Sequence, residues 1–478
     1  MKAYETVIGL EVHVELATKS KIFCGCTTEF GGAPNTHVCP VCSGMPGTLP
    51  VLNKKVVEYA IAAGLALNCK VNQYCKFDRK NYFYPDLPKA YQVSQLYLPI
   101  CHDGGIEIDV NGVKKTIRIH EIHMEEDAGK LIHDPWEDAT LVDYNRCGVP
   151  LIEIVSEPDM RSADEVIAYL EKLKLILQYL GVSDCKMQEG SLRADVNLSV
   201  REVGAIEFGT RTEMKNLNSF KAIARAIEGE RKRQIEQIEF GKKIIQETRR
   251  WDDNKDTSFA MRSKEDAQDY RYFPEPDLVP MIISDEWLQE IKNREPELRD
   301  AKMVRYETEY EIPEYDAGII TSSKHLADLF EATVAICGKP KEVSNWLMVE
   351  TMRLMKEHEL EPEQVRFSPE NLSKLIGLID EGKINRTTAK EVFEKIFVED
   401  IDPETYVEEK GLRIVNDEGV LRATIEEIVA KNPQSVTDYK SGKEKAIGFL
   451  VGQTMKAMKG KADPAFVNEM LKEILAKE

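Results

Sequence analysis

Four cysteines stand in two close pairs near the start of the chain: Cys24-Gly-Cys26 and, twelve residues on, Cys39-Pro-Val-Cys42. Paired thiolates on two turns can converge on one zinc ion at ~2.3 Å per bond, and four protein ligands leave no position for a reacting water. The implied site is structural. Two redox pairs, free thiols or an iron–sulfur cluster are the other chemistries this spacing permits; Gly25, Gly31, Gly32 and Pro40 supply turns that favour zinc.

A second set of residues is acidic. Glu11, His13 and Glu15 fall on one face of an alternating run at 7–16. A run at 117–124 leads into Glu125-Glu126-Asp127, Glu153 interrupts the apolar run PLIEIV at 150–155, and Asp195 lies on the polar side of 192–200. Strands that each present acids on one face gather carboxylates above a sheet, the donor type that Mg²⁺ prefers when it also holds phosphates. Ordinary strand polarity explains Glu15, and it explains Glu213 in the run at 210–217. It does not explain Glu153, because an unpaired carboxylate in an apolar run is costly to bury.

Two further sets are basic. In FDRKNYFY at 77–84 and PDLPKAYQ at 85–92, rings interleave with Arg79, Lys80 and Lys89. That composition suits a stacked base and a neutralised phosphate, and it equally suits an aromatic core segment with solvated lysines. YRYFP at 270–274 repeats the composition. Near the C-terminus, Lys443, Lys445, Lys456, Lys459 and Lys461 face only Glu444, giving a local charge of +4. Such a patch can dock a phosphate backbone, or it can be a solvated helix face.

Period-2 alternation makes 7–16 and 192–200 strands with one apolar face. Ser162-Ala-Asp-Glu165 is a capping box that opens a helix stopping at Gly181, and a second helix covers 221–240. From about residue 284 alternation fades. Short helices follow, opened by Ser368-Pro and Asn385 and by a run at 424–431 before Pro433. The fold class expected is α+β: an antiparallel-sheet body at 1–293 carrying the cysteine insert at 24–42, then helical domains at 294–405 and 406–478.

The chain has 478 residues, enough for several domains with their own cores. A net charge of −19 excludes indiscriminate nucleic-acid binding, so any such contact must be local. No apolar run reaches the ~20 residues of a membrane span, and the N-terminus has no signal or transit pattern, which points to the cytoplasm. Six of the ten cysteines are scattered singly, as buried thiols are. Neither a P-loop nor a protein-kinase motif set is present. Nothing resembles a glutaminase nucleophile with its base, so no ammonia made by this chain is expected.

The segments 7–14 (VIGLEVHV), 77–86, 123–130 (HMEEDAGK), 141–153, 215–220 (KNLNSF), 270–277 and 448–453 (GFLVGQ), in this order, resemble the B subunits of the tRNA-dependent amidotransferases (GatCAB). The resemblance covers nearly the whole chain, and the cysteine site is similar to that of zinc-bearing members. It implies a cradle body related to glutamine synthetase, a helical domain and a YqeY-like tail that contacts tRNA. It implies ATP-dependent conversion of Glu-tRNA(Gln) to Gln-tRNA(Gln), of Asp-tRNA(Asn) to Asn-tRNA(Asn), or of both. The B subunit would phosphorylate the side-chain carboxylate, an amidase A subunit would supply ammonia, and a small C subunit would bridge them. By resemblance Glu11, His13, Glu125, Glu126, Glu153 and Asp195 hold Mg²⁺. The charges of Arg79, Lys80 and Lys89 among their aromatic neighbours are expected to neutralise phosphate near ATP or the tRNA 3′ end. A non-catalytic zinc-containing tRNA adaptor, or a metal-dependent hydrolase, remains open from residue types alone.

Overall fold

The computed structural model describes residues 3–134, 136–263, 270–414, 418–441, 443, 445–458 and 462–477. It divides into two compact units, Met1–Leu298 and Arg299–Glu478.

The first unit is built on a nine-stranded sheet. At its centre lies β1 (Tyr4–Glu15), flanked by β10 (Pro150–Ser156) and β11 (Leu192–Glu202). Beyond β10 come β7 (Val113–Glu126), β6 (Cys101–Val110) and β2 (Lys70–Val71); beyond β11 come β12 (Thr212–Lys215), β13 (Glu247–Asp252) and β14 (Thr257–Ser263). Three smaller sheets complete the unit. β4 (Asp78–Asn81) pairs with β5 (Tyr91–Ser94) and β15 (Phe273–Pro274), β3 (Tyr74–Cys75) with β16 (Met281–Ile282), and β8 (Lys130–His133) with β9 (Thr140–Asp143).

Alternation decides which face is which. Leu10, Val12 and Val14 of β1 bury on one face with Ile122, Met124, Ile152, Ile154, Val196 and Leu198. Onto this core pack α1 (Lys54–Ala66), α2 (Ala163–Leu180) and α3 (Phe220–Glu239). Each fully buried aliphatic side chain contributes roughly 1.5–3 kcal/mol, so an aspartate at Val12 would break the centre of the sheet. The odd-numbered residues of β1 then have only the opposite face, and that face is polar.

Helix α2 begins and ends where its sequence signals lie. The Ser162 side chain accepts from the Glu165 N–H, and Gly181 stops the helix with φ of 69°, a left-handed conformation that suits glycine. The capping box is not reciprocal, however: the Glu165 carboxylate accepts from the Arg161 N–H and from Lys115 instead.

One expectation needs correcting. The sheet is not wholly antiparallel, because β12 and β13 run parallel. The twenty-residue α3 lies between them in sequence, and a crossover of that length returns the chain to the same end of the sheet, as parallel pairing requires.

Among the described residues, the second unit contains helices and no strand. α5 (Arg299–Thr308), α6 (Glu314–Ile320), α7 (Lys324–Cys337), α8 (Pro340–Asn345), a π-turn at Trp346–Thr351, α9 (Met352–Glu357), α10 (Pro369–Asp380), α11 (Arg386–Glu399) and α12 (Pro403–Glu409) enclose one core; α4 (Asp285–Asn293) belongs to the first unit. A separate core joins α13 (Glu418–Lys431), α15 (Lys445–Ala457) and α16 (Pro464–Lys477), with α14 (Pro433–Lys440) beside α15. The division expected at 405 falls inside α12. That helix packs on α10 and α11 and gives Val407 to their core, so the tail's own packing begins after Leu412. Of the lysine patch, Lys445 and Lys456 lie on α15, while Glu444, Lys459 and Lys461 lie outside the described residues.

Candidate active site

Register across the central strands assembles the polar face. His13 stands opposite Glu153 on β10 and Arg193 on β11, Glu153 stands opposite His123 on β7, and Glu11 opposite Asp195. Glu213 of β12 is paired with Asn197 of β11. Non-adjacent segments thus place their polar side chains on one surface.

Two trios result. His13, Glu125 and Glu153 form one and Glu11, Asp195 and Glu213 the other, each with a ligand atom from every member within 4.8 Å of the rest. In the first, His13 Nε2 lies 3.5 Å from Glu153 Oε2 and 3.6 Å from Glu125 Oε1, while His123 Nε2 lies 2.8 Å from Glu153 Oε2. In the second, Asn197 Nδ2 donates to Glu11 Oε1 at 3.0 Å, and Lys215 Nζ contacts Asp195 and, at 2.8 Å, Glu213.

The electrostatics follow from this crowding. Burial alone would push His13 and His123 down, but the surrounding carboxylates, Glu153 foremost, hold both above the ordinary histidine range. Burial would raise Glu153, yet His123 and His13 hold it well below the usual carboxylate value. Glu11 is pushed up by burial and by the charges of Glu153 and Glu213. Two more carboxylates and two arginines border the trios: Arg193 Nη2 donates to the buried Asp127 at 2.8 Å, Arg146 approaches it at 3.5 Å, and burial beside Asp127 drives Glu15 up to about 8.

The two aromatic runs of the sequence meet beside this face. β15 pairs with β4, Asn81 N donates to the Tyr270 carbonyl at 2.9 Å, and Tyr82, Tyr270 and Tyr272 pack edge to face at centroid distances of 5.7 and 6.1 Å. The Lys80 ammonium lies 4.8 Å from the Tyr270 ring centre. Burial, with the charges of Asp86 and Glu125, raises the Tyr82 hydroxyl.

Residues 6–289 match the family model described as the GatB/GatE catalytic domain, and residues 328–475 the model described as the GatB domain. The chain is 80% identical over 477 residues to the B subunit of the aspartyl/glutamyl-tRNA(Asn/Gln) amidotransferase of Lachnoclostridium phytofermentans, covering 100% of both chains. It is 71% identical over 475 residues to that of Agathobacter rectalis, covering 99% of this chain and 100% of the relative. Identity to that of Caldicellulosiruptor saccharolyticus is 62% over 477 residues, covering 99% of each. The chain belongs to the GatB family.

Within this GatB-family fold the nominated residues separate. Glu11, His13, Glu125, Glu153 and Asp195 come together on the polar face. Glu126 does not join them. Successive strand residues point to opposite faces, so it turns away from Glu125, pairs with Lys89 Nζ and accepts from the Val93 N–H at 3.0 Å. Arg79 forks onto Glu275 at 2.7 and 2.8 Å and reaches Asp277 at 3.1 Å. The charges of Arg79 and Lys89 are therefore met by carboxylates of the chain itself. Lys89, Glu126, Glu275 and Asp277 line a cavity of about 220 Å³ that Cys24 and Cys42 also border.

Two members of the face were missed by sequence reasoning. Glu213 completes the second trio, although strand polarity was explanation enough for it alone; its signal was its place on the polar side of a strand that ends in Lys215. His123 bonds Glu153 directly, and the run His120-Glu-Ile-His123 already placed it two residues before Glu125.

The four cysteines converge as well. Cys42 Sγ lies 4.0 Å from Cys26 Sγ and 3.9 Å from Cys39 Sγ, far beyond a disulfide and close to the ~3.8 Å between sulfurs arranged tetrahedrally at ~2.3 Å from one ion. The Cys24 thiol, the Cys39 N–H and the Lys21 ammonium stabilise a Cys42 thiolate, which lowers it to about 4. Lys21 is itself pinned by the His37 carbonyl at 2.7 Å. A soft dication suits this donor set.

Proposed function

We propose that this chain is the B subunit of an aspartyl/glutamyl-tRNA amidotransferase that converts Glu-tRNA(Gln), Asp-tRNA(Asn) or both into the amidated form. Ammonia cannot displace oxide from a carboxylate, so the carboxylate oxygen first bonds to the γ-phosphorus of ATP as the bond to ADP breaks. Ammonia then adds to the acyl carbon, phosphate leaves, and a proton is lost from nitrogen. The observation that carries this reading is the pair of adjoining ligand trios on one sheet face, in a chain of the GatB family.

His13, Glu125 and Glu153 would hold one Mg²⁺, and Glu11, Asp195 and Glu213 a second. Bound there, such ions would offset the repulsion between an anionic nucleophile and a triphosphate. His123 and Asn197 orient the carboxylates, and the Tyr82–Tyr270–Tyr272 wall excludes water and offers ring faces to the adenosine or terminal nucleotide. Lys80 is the cation we assign to that edge. The cysteine insert would hold a structural Zn²⁺. An amidase A subunit and a small C subunit would complete a cytoplasmic assembly. The tail after Leu412 would contact tRNA. An adaptor has no use for two partly buried ligand trios.

Reconstitution with amidase and C subunits tests this. With ATP, Mg²⁺ and ammonium, phosphate release should require Glu-tRNA(Gln) or Asp-tRNA(Asn), and the productive tube names the substrate. Tight tRNA binding without turnover in either tube would favour the adaptor.

A further inference from the structure

Two tyrosines of the aromatic wall are joined by a residue in a conformation that side chains disfavour. Arg271, between Tyr270 and Tyr272, has φ of 45°, in the left-handed region where a Cβ crowds the backbone. The register that pairs Phe273 with Arg79 would set Arg271 opposite Asn81. Yet the Asn81 N–H donates to the Tyr270 carbonyl, one residue further along. Tyr270 and Arg271 therefore oppose one residue of β4, which is a β-bulge, and the left-handed position of such a bulge ordinarily takes glycine.

The side chain of Asn81 meets the carbonyl that the bulge takes out of the ladder. Its Nδ2 donates to the Arg271 carbonyl at 2.8 Å and to the Arg79 carbonyl at 3.3 Å. One half-buried amide on β4 thus bonds both segments. Residues two apart in a regular strand point the same way, but the Tyr270 and Tyr272 rings meet at 80°, with the Tyr82 ring at 66° to Tyr270. Burial and the charges of Glu125 and Glu153 raise the Tyr272 hydroxyl, so this end of the wall stands beside the first trio.

We infer that Asn81 is the positioning residue of this wall: its amide holds the Arg271 bulge, and the bulge aims the tyrosines at a nucleobase. A strained residue persists only where its surroundings over-determine it. Without the amide Arg271 relaxes to a negative φ, the bulge opens, and Tyr270 and Tyr272 turn from the site. Arg271→Gly reaches the left-handed conformation without strain, so it keeps the bulge without help from Asn81.

This inference rests on the reading that the wall receives a nucleobase during ATP-dependent amidation. Steady-state kinetics of the reconstituted enzyme tests it in the wild type, Asn81→Ala, Arg271→Gly and the double variant. Asn81→Ala should raise one KM at least about fivefold and leave kcat within about twofold, as when binding common to ground and transition states is lost. A rise for ATP assigns the wall to its adenine, and a rise for the misacylated tRNA assigns it to the terminal nucleotide. In the Arg271→Gly background the same substitution should change that KM less than about twofold. Unchanged KM values in the wild-type background, or the same rise in both backgrounds, would overturn the role of Asn81 alone. So would loss of the fold in Asn81→Ala, read by circular dichroism. No tRNA-dependent phosphate release by the wild type would overturn both this inference and the reading beneath it.

Discussion

His13 and Glu153 face each other across the β1–β10 ladder, with His13 Nε2 3.5 Å from Glu153 Oε2, while the same carboxylate accepts from His123 at 2.8 Å on its other side. Glu153 is thus the hinge of the first trio, an acid compensated by two histidines from two different strands. Its apolar flanks, Ile152 and Ile154, point into the core and fix its direction.

Glu153→Gln keeps the volume and removes the charge. Phosphate release by the reconstituted enzyme should fall by at least about 10³-fold, because metal-bridged phosphoryl transfer loses a ligand. Binding of the same tRNA, measured by filter retention, should change less than threefold. Equal losses in both would mean that Glu153 serves the fold rather than the reaction.

Glu125 and Glu126 give a sharper contrast because they are neighbours. Glu125→Gln should weaken Mn²⁺ binding tenfold or more. Glu126→Gln should leave it within twofold, since its partners are Lys89 and the Val93 N–H on the opposite face. If Glu126→Gln lowers affinity as much as Glu125→Gln, the separation of faces is wrong for this pair.

Cys26→Ser should lose one zinc per chain, read by a colorimetric chelator after denaturation. The melting temperature should drop by about 5 °C, the shift roughly expected when ~2 kcal/mol of metal-linked stability is lost from a domain of this size. A variant that retains its zinc and its melting temperature would remove the structural role from this cluster.

Asp402 supplies a pH test in the helical unit. It caps α12 by accepting from the Thr405 N–H at 2.9 Å and pairs with Lys374, which lowers it to about 2. A depressed carboxyl stabilises the fold above its unfolded value, near 4, and that stability disappears as pH falls through 2. Asp402→Asn retains a cap but no charge. The two proteins should differ by under about 1 kcal/mol at pH 7, given the exposure of the pair, and the difference should close between pH 4 and pH 2 in urea titrations.

Much of this molecule was legible in its order of residues. Alternation in β1 put Glu11, His13 and Glu15 on one side and Leu10, Val12 and Val14 on the other, because a pleated strand has no third choice. Ser162 and Gly181 bounded α2 through local hydrogen bonds and a left-handed φ. The spacing of the cysteines announced their cluster. Tertiary structure alone decided the neighbours. Asp195 meets Glu11 across 184 residues of chain only because β11 pairs with β1, and the register that brings Glu213 beside Asn197 depends on where β12 docks. The pleat admitted Glu125 to the site and refused Glu126, and the carboxylates of Glu275 and Glu126 claimed Arg79 and Lys89. Side-chain direction is a local property that sequence period encodes, whereas the partner of a charge is set by whichever distant segment packing brings within a few ångströms.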